Sequence, residues 1–390
     1  MSINSATADS YYRPNKFEIA TSWVHGLVSG PRLPDSRNDP RSCLDDILRP
    51  CLIDGPCFVG FSGGRDSSAL LAAATALARR EGLVDPVPVT EVYPGVPGTD
   101  EDEWQRVIIE HLELEEWVRL TFGNENDLIG DTAQRGLRGR GLIWPAPLQV
   151  KANVLTELDA GWFLTGEGGD EVFGPRRASA LRALAGCWRH PRRTAVRAAV
   201  GASLPYPVRR GRLARQLRRS GMQPWLRPDV AERHLELLSA DLASESLRWR
   251  TMWSQRHRGM LALTKNYQAL AAEYGMRLAE PFLDPRFLAA LSGSGGPLGY
   301  PDRTEFMRAL FADVLPAAVL ERRTKAYFNR AYFGEATREF ARGWDGSGLD
   351  ADLVDGERLQ QEWLADMPAA QSMSLLQSAW LGTHGRYGAP

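Results

Sequence analysis

Residues 58–71 read FVGFSGGRDSSALL, and this stretch decides how the rest of the sequence is interpreted. It begins as an apolar run, breaks at Ser62, Gly63 and Gly64, and becomes apolar again after Asp66. The pattern predicts a buried strand, a glycine turn and a helix. Such a turn presents backbone N–H groups and the positive end of a helix, which attract an anion. Because an aspartate there repels phosphate unless a cation lies between them, we expect Asp66 to hold a metal ion.

The charge balance argues against a nucleic-acid partner. The 390 residues include 47 basic and 48 acidic side chains, for a formal net charge of −1. A nearly neutral chain exerts no global field toward a polyanion. The charges are nevertheless uneven, since residues 176–219 contain thirteen arginines and no acid. That segment is either a set of solvated helices or a surface for an acidic partner.

Cysteine usage and hydropathy indicate the compartment. Four cysteines without CxxC spacing and six scattered histidines predict neither a disulfide framework nor a structural zinc site. The first residues lack the basic-then-apolar pattern of a signal peptide. The longest nearly apolar run, residues 69–78, is too short to span a bilayer. We therefore expect a cytoplasmic protein with no membrane partner.

Strand-like and helix-like segments alternate in the first half of the chain. Helical periodicity predicts helices over residues 67–81, 101–111 and 146–158. Apolar runs predict strands over residues 57–61, 87–93, 116–121 and 161–166. This alternation predicts an α/β fold with a parallel sheet covered on both faces.

The second half reads differently, because residues beyond about 176 are mainly helical in pattern. We expect an N-terminal arm over residues 1–50 and one domain over residues 51–335. Within that domain, residues 175–230 form an arginine-rich helical segment. Residues 336–390 are expected to form a C-terminal helical extension.

The loop after the first strand matches neither GxxxxGK[ST] nor GxGxxG. Its pattern is SGGxDS, in which the hydroxyls of Ser62 and Ser67 can donate to phosphate oxygens. This loop resembles the pyrophosphate loop of ATP-cleaving synthetases of the ATP-pyrophosphatase superfamily. The superfamily includes GMP synthetases, NAD synthetases, tRNA-modifying thiolases and asparagine synthetases, and the loop alone leaves all four open.

A second glycine-rich loop, GEGGDEVFG over residues 166–174, follows the last predicted strand. The carboxyl end of a strand is where open α/β sheets bind ligands. The glycines allow a nucleotide to approach, and Asp170 can complete a Mg²⁺ site with Asp66. Glu167, close to both, is a candidate general base.

Together, the two loops resemble the synthetase domain of asparagine synthetases and their relatives, among them β-lactam synthetase, carbapenam synthetase and lasso peptide cyclases. Two further segments agree in order. Residues 274–287, YGMRLAEPFLDPRF, resemble the family's PFLD segment, and residues 303–328 resemble the segment that contains its catalytic lysine, which falls on Lys325. The resemblance covers about residues 45–335. It implies the ATP-pyrophosphatase fold and a reaction that uses ATP and Mg²⁺ to form an amide.

The resemblance also implies roles for individual residues. Glu167 would deprotonate the incoming amine, and Lys325 would steady the reacting centre. Asp66 and Asp170 would hold the metal. The nucleotide would be held by the first loop, by backbone near the end of the second strand and by the start of the acidic loop, at Ser62, Gly63, Gly64, Asp66, Ser67, Val92 and Gly166.

The chain departs from asparagine synthetases at several positions, among them Pro175 and Arg176, which stand where a Gly-Tyr pair often follows the acidic loop. Ser2 stands where their glutaminase cysteine is expected, and the segment before the first loop is short, so ammonia or another amine is expected from elsewhere. Arg277 and Ala279 occupy the positions of a Glu-x-Arg pair that precedes PFLD in those enzymes, which disfavours free aspartate as the substrate. Arg65 replaces a residue that is usually apolar.

These features predict adenylation of a small-molecule or peptide carboxylate and its joining to an amine, in a lactam, macrolactam or other amide. A partner protein that supplies ammonia or a precursor peptide fits this reading. Three alternatives stay open: asparagine synthesis with a separate glutaminase, tRNA modification, and a nucleotide-binding module without activity.

Overall fold

The fold is built on a five-stranded sheet in which every strand pair is parallel. A computed structural model describes residues 10–30, 33, 38–174, 196, 199–201, 203–221, 223–242, 247–294 and 300–385. The strand order is β3-β2-β1-β4-β5. The strands are β1 (Cys57–Gly60), β2 (Val87–Val92), β3 (Val118–Thr121), β4 (Trp162–Leu164) and β5 (Arg277–Ala279).

Helices cover both faces of the sheet and form the rest of the described chain. Those up to the acidic loop are α1 (Lys16–Thr21), α2 (Pro40–Ile53), α3 (Arg65–Glu81), α4 (Asp102–His111), α5 (Asp131–Arg140), α6 (Leu148–Leu155) and α7 (Gly169–Phe173). The middle of the chain contains α8 (Tyr206–Arg219), α9 (Pro228–Leu242), α10 (Leu247–Arg256), α11 (Arg258–Glu273) and α12 (Pro285–Ser292). The remainder are α13 (Arg303–Phe311), α14 (Ala317–Glu321), α15 (Asn329–Tyr332), α16 (Glu335–Gly343), α17 (Gly356–Leu364) and α18 (Met373–His384), with short 3₁₀ turns at Pro281–Leu283 and Ala370–Ser372.

Alternation along each strand sends neighbouring side chains to opposite faces of the sheet. Phe58 and Phe163 face one apolar cluster, which also contains side chains of α6 and α11. Val59 and Leu164 face another, which contains side chains of α2, α3 and α12. Because both faces are covered, the short strands are apolar on both sides, as parallel strands usually are.

The predicted parallel α/β fold and its four strands are confirmed. The elements that the sequence pattern missed include strand β5 and helix α5. Strand β5 has only three residues, Arg-Leu-Ala, and so offers no apolar alternation. Helix α5 is polar and contains two glycines, Gly136 and Gly139, which weaken its helical pattern.

A third apolar cluster joins the two ends of the chain. It brings Ile19 and Ala20 of α1 against side chains of α5 and of the last three helices. Trp225 and Trp363 are fully buried in it. Helix α2 runs across the expected boundary at residue 50 and packs beside α3. None of the helices among the described residues is long and apolar enough to cross a membrane.

The arginine-rich segment is described only in part. Residues 175–195 lie outside the described residues, and so do positions 197, 198, 202 and 222. Helix α8 carries six of the arginines, and within this described helix no side chain is buried.

Candidate active site

The candidate site lies where the strand order reverses, between the carboxyl ends of β1 and β4. Open parallel sheets bind ligands at this kind of crevice. The loop after β1 (residues 61–64, continuing into α3) is called the phosphate loop, and residues 166–174 after β4 are called the acidic loop. A Cβ on Gly166 would lie 3.1 Å from the Ser67 nitrogen, and one on Gly169 would lie 2.4 Å from Asp66 Cγ. The two loops therefore touch, and only glycine at position 169 allows it.

The phosphate loop is held open by hydrogen bonds within it and from α4. Gly63 has a φ of +81°, a left-handed conformation that favours glycine. The Ser62 and Ser67 hydroxyls lie 3.2 Å apart. The Ser67 hydroxyl also donates to Gly64 O at 3.1 Å, and Gln105 Nε2 donates to Ser62 O at 3.2 Å. The loop thus presents two hydroxyls at the start of a 17-residue helix, as an anion site requires.

Arg303, the first residue of α13, bridges the two loops. Its Nη2 donates to both carboxylate oxygens of Asp66 at 2.6 Å, and its Nη1 donates to Asp170 Oδ1 at 2.5 Å. Arg303 lies in the segment 303–328, but its sequence pattern predicts no role for this arginine. A cation directly after the helix cap Asp302 was the only local signal.

Lys325 also reaches the acidic loop. Its Nζ donates to Asp170 Oδ2 at 2.7 Å, while about 70% of the lysine side chain stays exposed. Burial alone would raise the pKa of Asp170, but hydrogen bonds from Lys325 and Arg303 together lower it. Asp170 is therefore a carboxylate that two cations hold ionised.

Asp66 and Glu167 have the opposite electrostatic balance. Burial raises the pKa of Asp66, against the effect of the Arg303 charge and hydrogen bonds. Burial also raises the pKa of Glu167, and the negative charge of Glu171 adds to the effect. A carboxylate with a raised pKa is a better proton acceptor near neutral pH. Glu167 thus has the character that a general base needs.

The paired carboxylates fit a magnesium ion. The described residues contain no cluster of three or more acidic, histidine or cysteine side chains that holds a metal ion by itself. Mg²⁺ at nucleotide sites usually takes one or two carboxylates and completes its shell with water and phosphate oxygens. Asp66 and Asp170 face one cation, the Arg303 guanidinium, from two loops, so this donor set suits a Mg²⁺ that arrives with a nucleotide.

Both loops open into one cavity of about 530 Å³. Most of the predicted site residues line it: Ser62, Gly64, Asp66, Ser67, Gly166, Glu167, Asp170 and Lys325. Gly63 and Val92 do not appear among the described residues that line it, although Glu91 and Tyr93 on either side of Val92 do. Gly63 shapes the loop instead, and its carbonyl accepts a hydrogen bond from Arg322 at 2.8 Å.

The cavity contains a charged pair that sequence reasoning missed. Lys151 of α6 donates to Glu91 at the end of β2, and both side chains are mostly buried. Glu91 also accepts from the Tyr93 hydroxyl at 2.7 Å and from Asn126. Burial alone would lower the pKa of Lys151, but the Glu91 charge raises it well above its usual value. The two residues are sixty positions apart, so no local pattern predicts the pair.

Arg277 and Ala279, at the positions of the Glu-x-Arg pair, pack against other parts of the fold. Arg277 donates to Asp54 O at 2.7 Å, and its guanidinium lies 4.4 Å from the centre of the Trp162 ring. Ala279, on the same side of β5, packs against the α3 side of the sheet. Neither residue is among the described residues that line the cavity. Strand alternation explains why both side chains point away from the cavity. Leu278, which lies between them in β5, points to the opposite face of the sheet, where Phe163 also lies.

Two arginines support the phosphate loop from outside. Arg65 donates to the Thr304 hydroxyl and to Leu320 O, both at 3.4 Å, so it ties α3 to α13 and α14. Burial lowers the pKa of Arg65, and the positive charge of Arg303 adds to the effect. Arg322 is buried and pairs with Glu101. Arg65 and Arg322 thus place two positive charges beside the phosphate loop, in a cavity whose described lining contains six basic and six acidic side chains.

Comparison with known families places this geometry in context. The sequence model of one family, Asparagine synthase, matches residues 41–381. The match spans most of the chain and includes both loops, strand β5 and Lys325. No curated protein matches the chain.

Proposed function

Because the chain belongs to the asparagine synthase family of ATP-dependent carbon–nitrogen ligases, we propose that it closes an amide within one substrate. The product is a lactam or macrolactam of the kind made in peptide or natural-product biosynthesis. The observation that carries this proposal is the meeting of the phosphate loop, Glu167 and Lys325 in one cavity. The phosphate loop serves activation of the carboxylate by ATP, and Glu167 and Lys325 serve formation of the amide.

The first half-reaction uses the phosphate loop. A substrate carboxylate oxygen attacks the α-phosphorus of ATP, the bond to the β-phosphate bridging oxygen breaks, and an acyl-adenylate and pyrophosphate result. Ser62, Ser67 and the start of α3 bind the leaving pyrophosphate through hydroxyl and backbone donors. Asp66 and Asp170 would hold Mg²⁺, which supplies charge neutralisation of the triphosphate when it is bound.

The second half-reaction uses the acidic loop and Lys325. The substrate amine attacks the acyl carbon while Glu167 accepts its proton, and AMP leaves as the amide forms. The Lys325 ammonium, which is largely exposed and held by Asp170, stabilises the oxyanion that develops on the acyl oxygen. A tethered amine has an effective molarity of about 10⁵ M or more, which favours ring closure over capture of free ammonia.

The cavity wall supports a substrate larger than aspartate. Its described lining also includes six aromatic residues: Phe61, Tyr93, Phe163, Tyr267, Phe328 and Tyr332. Aromatic walls bind apolar or peptide groups through large buried contact areas. A second protein that delivers the precursor peptide is part of this proposal, whereas a partner that delivers ammonia would belong to asparagine formation.

A second candidate is asparagine formation from aspartate and ammonia. The Glu91–Lys151 pair favours it, since opposite charges in the cavity suit the amino and carboxylate groups of a small zwitterion. The replacement of the Glu-x-Arg pair by Arg277 and Ala279 does not count against aspartate, because neither residue is among the described residues that line the cavity.

The experiment is a parallel pyrophosphate-release assay with purified protein, ATP and Mg²⁺. One arm contains aspartate and ammonium chloride, and the other contains linear peptides with a free amino terminus and an internal aspartate or glutamate. We expect peptides to trigger pyrophosphate release and to lose one water by mass spectrometry. Stoichiometric asparagine and AMP in the first arm, with inert peptides, would refute ring closure in favour of the second candidate.

A further inference from the structure

Arg303 contacts both carboxylates that are proposed to hold the metal, and it is fixed there by its own helix. Asp302 caps α13 by accepting from Glu305 N at 2.9 Å. Phe306, one turn along, packs edge-on against Phe173 of the acidic loop at 5.2 Å between ring centres. The Arg303 backbone is therefore held beside the acidic loop, and its side chain reaches across to the phosphate loop.

Every hydrogen bond that Arg303 makes to a described residue goes to Asp66 or Asp170. Both Asp66 oxygens accept from Nη2, and one Asp170 oxygen accepts from Nη1. Its buried Nε makes no hydrogen bond to any described residue. About 20% of the arginine side chain is exposed, so this cation is largely withdrawn from solvent.

From this geometry we propose that Arg303 occupies the metal position when no nucleotide is bound, and that it transfers to the pyrophosphate when the metal–nucleotide complex enters. The proposal rests on the proposed use of a metal–ATP substrate. Metal coordination needs the oxygens that the guanidinium now occupies, above all the two oxygens of Asp66. The arginine and the metal therefore compete for the same ligands.

Electrostatic repulsion determines whether a metal ion or the Arg303 guanidinium occupies the two carboxylates. A bare divalent ion would leave Arg303 without its two carboxylate partners and beside Arg65, a second guanidinium that lines the same cavity. Two like charges a few ångströms apart repel each other strongly at the effective dielectric near a protein surface. A metal bound to ATP brings phosphate oxygens, and a guanidinium binds such oxygens in bidentate fashion. The site therefore excludes the free metal and accepts the metal–nucleotide complex.

The test compares Arg303→Met with Arg308→Met, a matched control on the same helix. Arg308 pairs with Glu305 and Glu321 and contacts neither metal-site carboxylate. Binding of Mn²⁺ alone is followed by electron paramagnetic resonance, and binding of Mn²⁺ with a non-cleavable ATP analogue is followed by calorimetry. We expect Arg303→Met to bind Mn²⁺ alone at least about tenfold more tightly than wild type and the control. It should bind the metal–nucleotide complex about tenfold more weakly.

Opposite shifts of the two affinities support the proposal. Equal Mn²⁺ affinity in Arg303→Met and Arg308→Met overturns the competition, and unchanged nucleotide affinity overturns the transfer to pyrophosphate. Arg303→Lys is the second variant, in case Arg303→Met fails to fold. Because lysine keeps the charge but lacks the bidentate guanidinium, Arg303→Lys should bind Mn²⁺ with an affinity between those of wild type and Arg303→Met. If wild-type protein binds no metal–nucleotide complex, the proposed function is refuted. Binding of Mn²⁺ alone tests the competition with Arg303 independently of that function.

Discussion

Replacing Glu280 with glutamine tests the electrostatics directly behind the acidic loop. Glu280 follows β5 and is only 7% exposed. Burial raises its pKa from 4.5 to about 7, the Thr264 hydroxyl opposes this, and the negative charge of Glu167 adds to it. A carboxyl group with a raised pKa binds its proton more tightly in the folded protein than in the unfolded chain. Its contribution to stability is therefore complete below pH 4.5 and is lost as pH rises through 7.

The magnitude follows from the difference between the two pKa values. The two pKa values differ by roughly 2.5, and a difference of one in pKa corresponds to about 1.4 kcal/mol. The full pH-dependent loss of stability is therefore on the order of 3 kcal/mol. Glutamine has the same shape and does not ionise. We therefore expect the unfolding free energy of Glu280→Gln, relative to wild type, to rise by about 2.5 kcal/mol between pH 5 and pH 8.

The assay is urea unfolding followed by fluorescence at several pH values, for wild type, Glu280→Gln and the control Glu157→Gln. Glu157 is exposed, so its replacement should leave the pH dependence unchanged. A stability difference between Glu280→Gln and wild type that stays constant from pH 5 to pH 8 would refute the assignment of a protonated acid at this position.

The remaining predictions concern the reacting groups. Asp66→Asn or Asp170→Asn should abolish substrate-dependent pyrophosphate release, because one carboxylate holds Mg²⁺ poorly; normal release by both variants contradicts the metal assignment. Glu167→Gln should retain adenylate formation but slow amide formation by roughly 10²–10⁴-fold, measured as AMP against amide product; equal loss of both half-reactions argues against a general base. Lys325→Ala should slow product formation by at least about 10²–10³-fold, and an unchanged rate would mean that the lysine is only solvated.

The sequence predicted the sheet and both loops because their signals are local. A buried strand followed by Ser62-Gly63-Gly64, and another followed by glycines and acids, can each be recognised within about ten residues. These loops come together because parallel strands end at the same edge of a sheet. Asp66, Glu167 and Asp170 accordingly line one cavity.

The parts that escaped prediction depend on tertiary packing. Arg303 reaches Asp66 only because α13 docks on the acidic loop through Phe306, which no spacing in the sequence reveals. Lys151 meets Glu91 across sixty residues. The motif comparison that singled out Arg277 predicted no strand in its segment and so gave no side-chain direction. Strand alternation in β5 turns Arg277 toward Asp54.

The central claim is that one cavity binds ATP for cleavage between its α- and β-phosphates and presents the activated carboxylate to Glu167 and Lys325. The most direct measurement is a crystal structure with Mg²⁺ and an ATP analogue that has a methylene bridge between these two phosphates. The account predicts the β- and γ-phosphates against Ser62 and Ser67, and the metal coordinated by Asp66 and Asp170 with Arg303 moved onto phosphate. A nucleotide bound outside this cavity, or a metal that contacts neither carboxylate, would contradict it.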